Sequence, residues 1–174
     1  EEKRPVPLYP LFLHPSGKIM PYLEKKRLFP GIVQYMESKR GPGGRPPHFG
    51  QIITVLEEFQ LLPAIFFLKS RADCDAALDA CININSAGQS PAERGELQKR
   101  IDELLQCRPY LAEHRQLWYL KKSAVAAHHS GQLPSWKLII ENLMTEGLLD
   151  AVFATSTVAA GVNFPARSVV LLNS

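Results

Sequence analysis

The chain has 174 residues, a length that suffices for one domain with a hydrophobic core. Its 45% hydrophobic and 21% charged residues are typical of a globular protein in water, and a net charge of +3 is too small to indicate a polyanionic partner. No run approaches the roughly 18 apolar residues of a membrane span, and the N-terminus has no signal-peptide pattern. We therefore expect no membrane partner, and a cytoplasmic protein, or a nuclear one if the source is eukaryotic.

The three cysteines, Cys74, Cys81 and Cys107, have neither the number of a disulfide framework nor the spacing of a metal site. We expect reduced structural thiols and no bound metal. The chain begins at Glu1 rather than at methionine and stops just after a strand-like run. These ends are what we expect of a piece of a longer protein.

Residues 1–47 form an opening segment in which a β-hairpin or an extended stretch is predicted. Its short apolar runs are broken by Pro7, Pro10 and the turn "HPSG". The segment ends in the basic, Gly/Pro-rich stretch "KRGPGGRPP". We interpret this stretch as a flexible connection, with a nucleic-acid contact as the alternative.

From His48 onward, amphipathic helices alternate with short buried strands. One helix is predicted before Pro63, and the continuous apolar run Ala64 to Leu68 follows it as a strand buried on both faces. A small helix comes next. The residues expected to face inward are Phe49, Ile52, Ile53, Leu56 and Phe59 in the first helix, and Ala72, Ala76, Ala77 and Ala80 in the second.

The second half of the chain continues this alternation. The sequence "SPAE" from Ser90 to Glu93 is a capping box with proline at the first helical position. Pro109 opens a further helical stretch, and Pro134 starts another that ends near Gly147, where a left-handed residue is expected. Three more strands are predicted, "AVAA" at 124–127, "DAVFA" and "SVVLL". The predicted inward faces are Leu97, Ile101, Leu104 and Leu105, then Trp136, Ile139, Ile140, Leu143 and Met144.

This order of elements predicts an α/β fold with a mainly parallel sheet flanked by helices. In such open sheets, ligands bind at the carboxyl ends of the strands. Here those ends carry "KSR", "HHSG" and "TST", so three polar clusters are expected along one edge of the sheet.

The cluster Thr155, Ser156 and Thr157 leaves a strand and enters "VAAG", where one short helical turn is expected. Hydroxyls and free backbone N–H groups at a helix N-terminus suit an anion. A hydroxyl N-cap without a ligand is the alternative.

The other two clusters can also contact phosphate. His128 and His129 are adjacent on a strand and point to opposite faces, which is poor geometry for joint metal ligation. The backbone amides of Ser130 and Gly131 could meet a phosphate. Arg71 offers a planar fork for the same purpose, or is a plain surface charge.

Nucleotide-binding motifs are absent from the sequence. There is no G-x-x-x-x-G-K-[ST] loop and no acidic Mg²⁺-binding cluster. Taken together, the predicted edge has features of a phosphate-contacting surface without catalytic residues.

The stretch "AVAAHHSGQLPSWKLIIENLMTEGLLDAVFATSTVAAGVNFPARSVVL" resembles the second RecA-like domain of superkiller-type DExH-box helicases of superfamily 2. The resemblance extends more loosely to "LPAIFFLKSRADCDAALDAC" and to "RPVPL", which is similar to the segment that joins the two motor domains of that family. It implies a RecA-like three-layer sandwich over residues 48–174, an incomplete domain preceded by the opening segment 1–47.

The resemblance also implies roles for the polar clusters. "IFFLKSR" is similar to motif IV, "HHSG" to the motif that follows it, and "ATSTVAAGVNFPAR" to motif V, in which hydroxyls contact phosphates and later residues face the nucleotide. The implied contacts to the nucleic-acid strand are Ser70, Arg71, Ser130, Gly131, Thr155 and Thr157, and the implied ATP-facing residues are Gly161 and Asn163.

The chain also departs from the family pattern. Gln132 stands where the family commonly has an apolar residue, and Ser156 where it often has glutamate or proline. The arginine-bearing motif VI is missing, and so is the first motor domain with its P-loop and DExH box. Phosphoryl transfer requires those parts. We therefore expect ATP and Mg²⁺ to act in the full-length parent and no ATP hydrolysis by this chain alone.

The leading hypothesis is thus a part of the second motor domain of an ATP-dependent helicase. Its expected partners are single-stranded nucleic acid, RNA slightly favoured over DNA, and the first RecA-like domain of the same protein. The alternative is a non-enzymatic α/β interaction domain. The sequence assigns no role to the helical stretch 82–123.

Overall fold

The computed structural model describes residues 8–38, 48–82, 89–155 and 164–172. In the first of these ranges, β1 (Leu11–Leu13) pairs antiparallel with β2 (Ile19–Pro21), and the predicted hairpin is confirmed. The turn between them closes with a hydrogen bond of 2.8 Å from His14 N to Lys18 O, and Gly17 supplies the positive φ of 83° that it requires. A second short pair, β3 (Leu23–Glu24) with β4 (Arg27–Leu28), leads into helix α1 (Pro30–Ser38).

A four-stranded parallel sheet forms the centre of the molecule. Its strands are β5 (Ala64–Leu68), β6 (Val125–His128), β7 (Ala151–Thr155) and β8 (Ser168–Leu171), in the spatial order β6-β7-β5-β8. All three neighbouring pairs are parallel, as the alternation of elements predicts. Strand β7 is buried along its whole length because it lies inside the sheet and is covered on both faces.

Helices cover both faces of this sheet and produce three layers. Helices α2 (Phe49–Glu58) and α3 (Arg71–Ala80) pack on one face, where they share a core with Phe66 and Phe153. Three further helices contribute to the core on the other face, which is centred on Trp136 and Val152. They are α4 (Pro91–Gln106), α5 (Leu117–Ser123) and α6 (Pro134–Thr145). The α/β, RecA-like three-layer architecture is therefore confirmed.

Two helices differ from their sequence predictions, α2 at its C-terminus and α3 on its buried face. Helix α2 ends at Glu58, well before Pro63, because Gln60 adopts a left-handed φ of 56° and the Leu61 amide bonds back to Leu56 O at 2.7 Å. In α3 the predicted alanine face is confirmed only at Ala77, since Ala72 and Ala76 are exposed and Ala80 is only half-buried. The buried residues of this helix are Cys74, Ala77 and Leu78.

The predicted helical stretch from Pro109 is interrupted. A single 3-10 turn covers Pro109–Leu111, and α5 begins only at Leu117. Strand β6 starts at Val125, one residue later than predicted, because Ala124 ends α5 in a left-handed conformation with φ 49°. The capping box of α4 and the inward faces of α4 and α6 are confirmed residue by residue.

Candidate nucleic-acid interface

The predicted polar clusters meet at the carboxyl edge of the sheet. Strands β6, β7 and β5 are neighbours, and their register pairs His128 with Ala154 and Leu68 with Thr155. The residues that follow β5 and β6 therefore lie on either side of the end of β7. We use the name carboxyl rim for the residues Ser70, Arg71, His128, His129, Ser130, Gly131 and Thr155.

Ser70 is the N-cap of α3, and its hydroxyl group already has two protein contacts. The Ser70 Oγ accepts a hydrogen bond from the Asp73 amide at 3.1 Å and donates one to Asp73 Oδ2 at 2.8 Å. Asp73 lies in the first turn of this helix, where the helix dipole favours a negative charge. Ser70 is exposed, but its only hydroxyl proton is directed at Asp73 Oδ2, so an anion can accept that proton only after this bond breaks.

Arg71 is the first residue of α3, and its side chain extends across the loop that follows β6. A β-carbon at Gly131 would lie 3.1 Å from Arg71 Cδ and 3.2 Å from Arg71 Nη1. Within the described ranges, no carboxylate forms an ion pair with this exposed guanidinium. Among the residues that the structure describes, the rim thus presents a cation without a carboxylate partner, and this cation lies beside a glycine.

The two histidines point to opposite faces of the sheet, as predicted. His128 Nε2 lies 2.7 Å from Glu141 Oε1 on α6, whereas His129 is turned toward α3, with its Nε2 3.7 Å from Asp75 Oδ1. His129 Nδ1 accepts a hydrogen bond of 3.2 Å from the Gly131 amide, which requires that this nitrogen carry no proton. Burial lowers the pKa of His129 and so favours this neutral form.

The loop after β6 is closed by hydrogen bonds at both ends. The backbone N–H of Gln132 donates to His129 O at 3.2 Å, and the backbone N–H of His129 donates to the side-chain Oε1 of Gln132 at 3.3 Å. The backbone N–H group of Gly131 also donates to a protein acceptor, so the polar group of this loop that remains open to solvent belongs to a side chain. That group is the hydroxyl of Ser130, which is exposed and has no hydrogen-bond partner within the described part of the chain.

Thr155 is the last residue of β7 and is only 9% exposed. By strand alternation it shares a face with Phe153, the face covered by α3, so it lies on the same side of the sheet as His129. Thr157, Gly161 and Asn163 lie outside the described residues. Their roles remain as the resemblance implies them.

A group of polar residues behind the rim was not predicted from the sequence. Asp75, Asp79, Arg115, Gln116 and Tyr119 line a pocket of about 120 Å³ between α3 and α5. Gln116 is 3% exposed and forms side-chain bonds to both Asp75 and Gln132. No periodicity marks a buried glutamine that precedes a helix, and its partner Asp75 lies 41 residues away in sequence.

The described residues provide little that suits a metal or a thiol reaction. No group of three or more His, Cys, Asp or Glu side chains is close enough to hold a metal ion in those ranges. Cys74 and Cys81 are buried, which raises the pKa of both thiols to about 12 and keeps them protonated, whereas Cys107 is exposed. None of the helices in the described ranges has the length and apolar character to cross a membrane.

The chain is similar to several curated helicases, although no family model matches it. It is 33% identical to the probable helicase HelY of Mycobacterium tuberculosis over 98% of its length. It is also 36% identical to the chloroplastic DExH-box ATP-dependent RNA helicase DExH15 of Arabidopsis thaliana over 72% of the chain, and 32% identical to the human exosome RNA helicase MTR4 over 79%. The chain spans only 22%, 10% and 13% of those three proteins, respectively. It belongs to the superkiller-type DExH-box helicases of superfamily 2, and it corresponds to a segment of such a protein.

Proposed function

We propose that this chain is part of the second motor domain of an ATP-dependent nucleic-acid helicase and that its carboxyl rim contacts the backbone of a single strand. In this proposal residues 48–174 belong to the second RecA-like domain, and residues 1–47 precede it. The observation that carries the proposal is the exposed guanidinium of Arg71 beside Gly131 and the exposed hydroxyl of Ser130. A planar cation that has no ion-pair partner within the described ranges and a hydroxyl group, both at the edge of a parallel sheet, match the charge and hydrogen-bonding needs of a phosphodiester.

The roles within the rim follow from these contacts. Arg71 would bind one phosphate through its fork, and the hydroxyl of Ser130 would bind the same phosphate or the next. The hydroxyl of Ser70 would join them by turning its proton from Asp73 Oδ2 to the phosphate. Thr155 and Thr157 would continue the path at the end of β7. By the family resemblance, Gly161 and Asn163 would face the nucleotide and couple it to the strand.

ATP and Mg²⁺ would be held largely outside this chain. The sequence has no P-loop, and the carboxylate of Asp75 behind the rim is already bound by Arg115 at 2.6 Å. The described residues therefore do not fit a triphosphate with its Mg²⁺, and the first RecA-like domain of the full-length protein would supply those groups. We propose RNA rather than DNA as the substrate because two of the relatives are named RNA helicases. The proposed compartment is the cytoplasm, or the nucleus in a eukaryote.

The test is the salt dependence of binding to a single strand. We would titrate the 174-residue chain into a fluorescein-labelled U12 RNA at 50 to 300 mM KCl and follow the anisotropy. Two or three phosphate contacts should give a log–log slope of about −1.5 to −2, because each single-strand phosphate contributes about −0.7. Arg71→Ala should remove about one such contact.

The matched control is Arg167→Ala. Arg167 is also exposed, but it precedes β8 at the amino edge of the sheet, where it bonds to Gln60 O at 2.7 Å. This variant should retain the wild-type slope. An affinity that does not change with salt would contradict the proposal and favour the non-enzymatic interaction domain. ATP turnover by the chain that is lost in Thr155→Ala would instead contradict the proposal that ATP is hydrolysed only with groups supplied by the first RecA-like domain.

A further inference from the structure

A buried hydrogen-bonded network connects the loop after β6 to the helical stretch before it. Its centre is the side-chain amide of Gln116, at the N-terminus of α5. Gln116 Nε2 donates to Asp75 Oδ1 at 3.2 Å, and Gln116 Oε1 accepts from Gln132 Nε2 at 2.8 Å and from Trp136 Nε1 at 3.4 Å. One amide thus joins α3, α5, the loop and the first turn of α6.

The orientation of this amide is fixed by the chemistry of its partners. A carboxylate such as Asp75 only accepts hydrogen bonds, and an indole N–H such as that of Trp136 only donates one. The nitrogen of the Gln116 amide must therefore face Asp75, and its oxygen must face Trp136. The Gln116 amide group therefore has one allowed orientation, in which its nitrogen donates to Asp75 and its oxygen accepts from Gln132 and Trp136.

The orientation of the Gln116 amide also fixes the orientation of the Gln132 side-chain amide in the loop. Because Gln132 uses its Nε2 to reach Gln116, its Oε1 is directed at the His129 amide, 3.3 Å away. His129 in turn accepts from the Gly131 amide through Nδ1. The path from Asp75 to Gly131 is thus a chain of hydrogen bonds in which the amide orientations of Gln116 and Gln132 are fixed by their partners, and Arg71 lies over its far end.

We propose that Gln116 and Gln132 are positioning residues that hold the loop 129–132 in its strand-binding conformation. This inference rests on the proposed function of the rim and deepens it by assigning a task to the stretch before β6. Neither side chain needs to touch the nucleic acid. Their effect is to fix where the Ser130 hydroxyl and the Arg71–Gly131 contact lie before a phosphate arrives, so that binding does not have to order the loop.

Burial supports this assignment, since Gln116 is 3% and His129 6% exposed. A buried polar group is retained at the cost of desolvation. Here the buried network ends at His129 and Gly131, two residues of the rim.

The test compares Gln116→Met and Gln132→Met with a matched control, Gln98→Met. Methionine preserves the length of the side chain and removes its hydrogen bonds. Gln98 is half-buried on α4, which packs on the face of the sheet opposite α3, and within the described part of the chain its side chain bonds only to Asp102, at 3.0 Å. The binding of U12 RNA to the 174-residue chain should weaken about three- to tenfold in each network variant, the range expected for a lost hydrogen bond, and remain unchanged in the control.

A second readout separates positioning from simple destabilisation. Hydrogen exchange of the His129 and Gly131 amides should accelerate in both network variants, while exchange of Ala126 and Ala127 in β6 stays protected. The double variant should lose no more affinity than Gln132→Met alone, because Gln116 acts on the loop through its bond to Gln132. Gln132 is only half-buried, so Gln132→Met tests the proposal even if Gln116→Met does not fold.

The possible outcomes separate this inference from the function on which it rests. Loss of affinity in both network variants and in Arg71→Ala supports it. If the wild type binds and Arg71→Ala weakens binding, but the network variants bind normally, the positioning role is wrong and the rim function stands. If the wild type does not bind RNA at all, the proposed function fails first. Uniform acceleration of exchange across β6 would also overturn the positioning role.

Discussion

The side chain of Arg71 lies tightly against the position that a β-carbon at Gly131 would take, with Cδ 3.1 Å and Nη1 3.2 Å from that position. His129 Nδ1 lies 3.2 Å from the same position and cannot retreat, because its ring is buried. Arginine Cδ and Nη1 belong to a flexible side chain, so Arg71 is the group that would move. Glycine at residue 131 therefore sets where the guanidinium rests.

The first prediction follows from this contact. Gly131→Ala should displace Arg71 and lower the affinity for single-stranded RNA several-fold, with little change in stability since the clash is relieved by a mobile side chain. Gly95→Ala is the control, because nothing lies within 4 Å of its added methyl group. Gly95 lies inside α4, so alanine there should raise the free energy of unfolding by about 0.5–1 kcal/mol and leave RNA affinity unchanged. Anisotropy titrations and urea unfolding of both variants measure these effects. Equal RNA affinities of the two variants would show that the position of Arg71 against Gly131 does not matter for strand binding.

The second prediction compares two N-cap serines. Ser70 accepts from the Asp73 amide at 3.1 Å, and Ser90 accepts from the Glu93 amide at 3.3 Å. Each serine-to-alanine change should cost about 1 kcal/mol of stability through the lost cap. Only Ser70→Ala should also weaken RNA binding, because Ser90 is not part of the rim. If the two variants lose stability alike and neither loses affinity, Ser70 is a structural cap and not a nucleic-acid contact.

The capping box at Ser90 shows what could be predicted from sequence. A cap is a local interaction between residues three apart, and the inward faces of α4 and α6 follow from spacing alone. The parallel sheet followed from the order of elements. The prediction of the buried face of α3 was largely wrong because it assigned the alanines to the core and left out the cysteine. Cys74 is fully buried and behaves there as a small apolar residue.

The Gln116 network could not be predicted for a different reason. Its bonds join residues that are 41 and 16 positions apart, and polar side chains carry no periodicity that reports burial. Similarly, the end of α2 depends on Gln60 adopting a left-handed conformation, which sequence rules expect of glycine or asparagine. Long-range contacts decided the first feature, and a local conformation that is unusual for glutamine decided the second.

The third prediction concerns Asp150, which precedes β7 at the amino edge of the sheet. Burial raises the pKa of this carboxyl group from 3.8 to about 7, although a hydrogen bond from Gln89 opposes the shift. Between those pH values the folded chain keeps a proton that the unfolded chain loses, so stability falls as pH rises, by at most about 1.4 kcal/mol per pH unit. Asp150→Asn should remove this fall and be more stable than wild type at pH 8.

Asp102 provides the control for that measurement. It is an exposed carboxyl group whose pKa is lowered by hydrogen bonds from Gln98 and Lys121. Asp102→Asn should therefore leave the fall between about pH 4 and 7 intact. Urea unfolding at several pH values measures both variants, and an unchanged pH profile in Asp150→Asn would show that the Asp150 carboxyl group is not the cause.

The fourth prediction has the opposite sign and concerns His129. Burial lowers the pKa of this imidazole, with smaller contributions from Arg71 and His128, while Asp75 acts to raise it. The folded chain then binds the proton less readily than the unfolded chain, so the contribution of His129 to stability is present above about pH 6.5 and is lost as pH falls. His129→Asn retains an acceptor for the Gly131 amide and should flatten this acid-side loss. Burial also lowers the pKa of His114, so part of the loss should remain.

The last prediction separates strand binding from nucleotide coupling in the full-length helicase. Thr155 ends β7 at the rim, so Thr155→Ala should lower strand affinity first, by several-fold, as expected for a hydrogen bond worth roughly 0.5–1.5 kcal/mol. Asn163 follows Gly161 in the part of the motif that the resemblance assigns to the nucleotide. Asn163→Ala should leave strand affinity without ATP almost intact and reduce strand-stimulated ATP hydrolysis. Because Thr155 is 9% exposed, melting temperatures must be measured beside both activities. If the two variants lose only stability, the functional assignment of this motif is wrong.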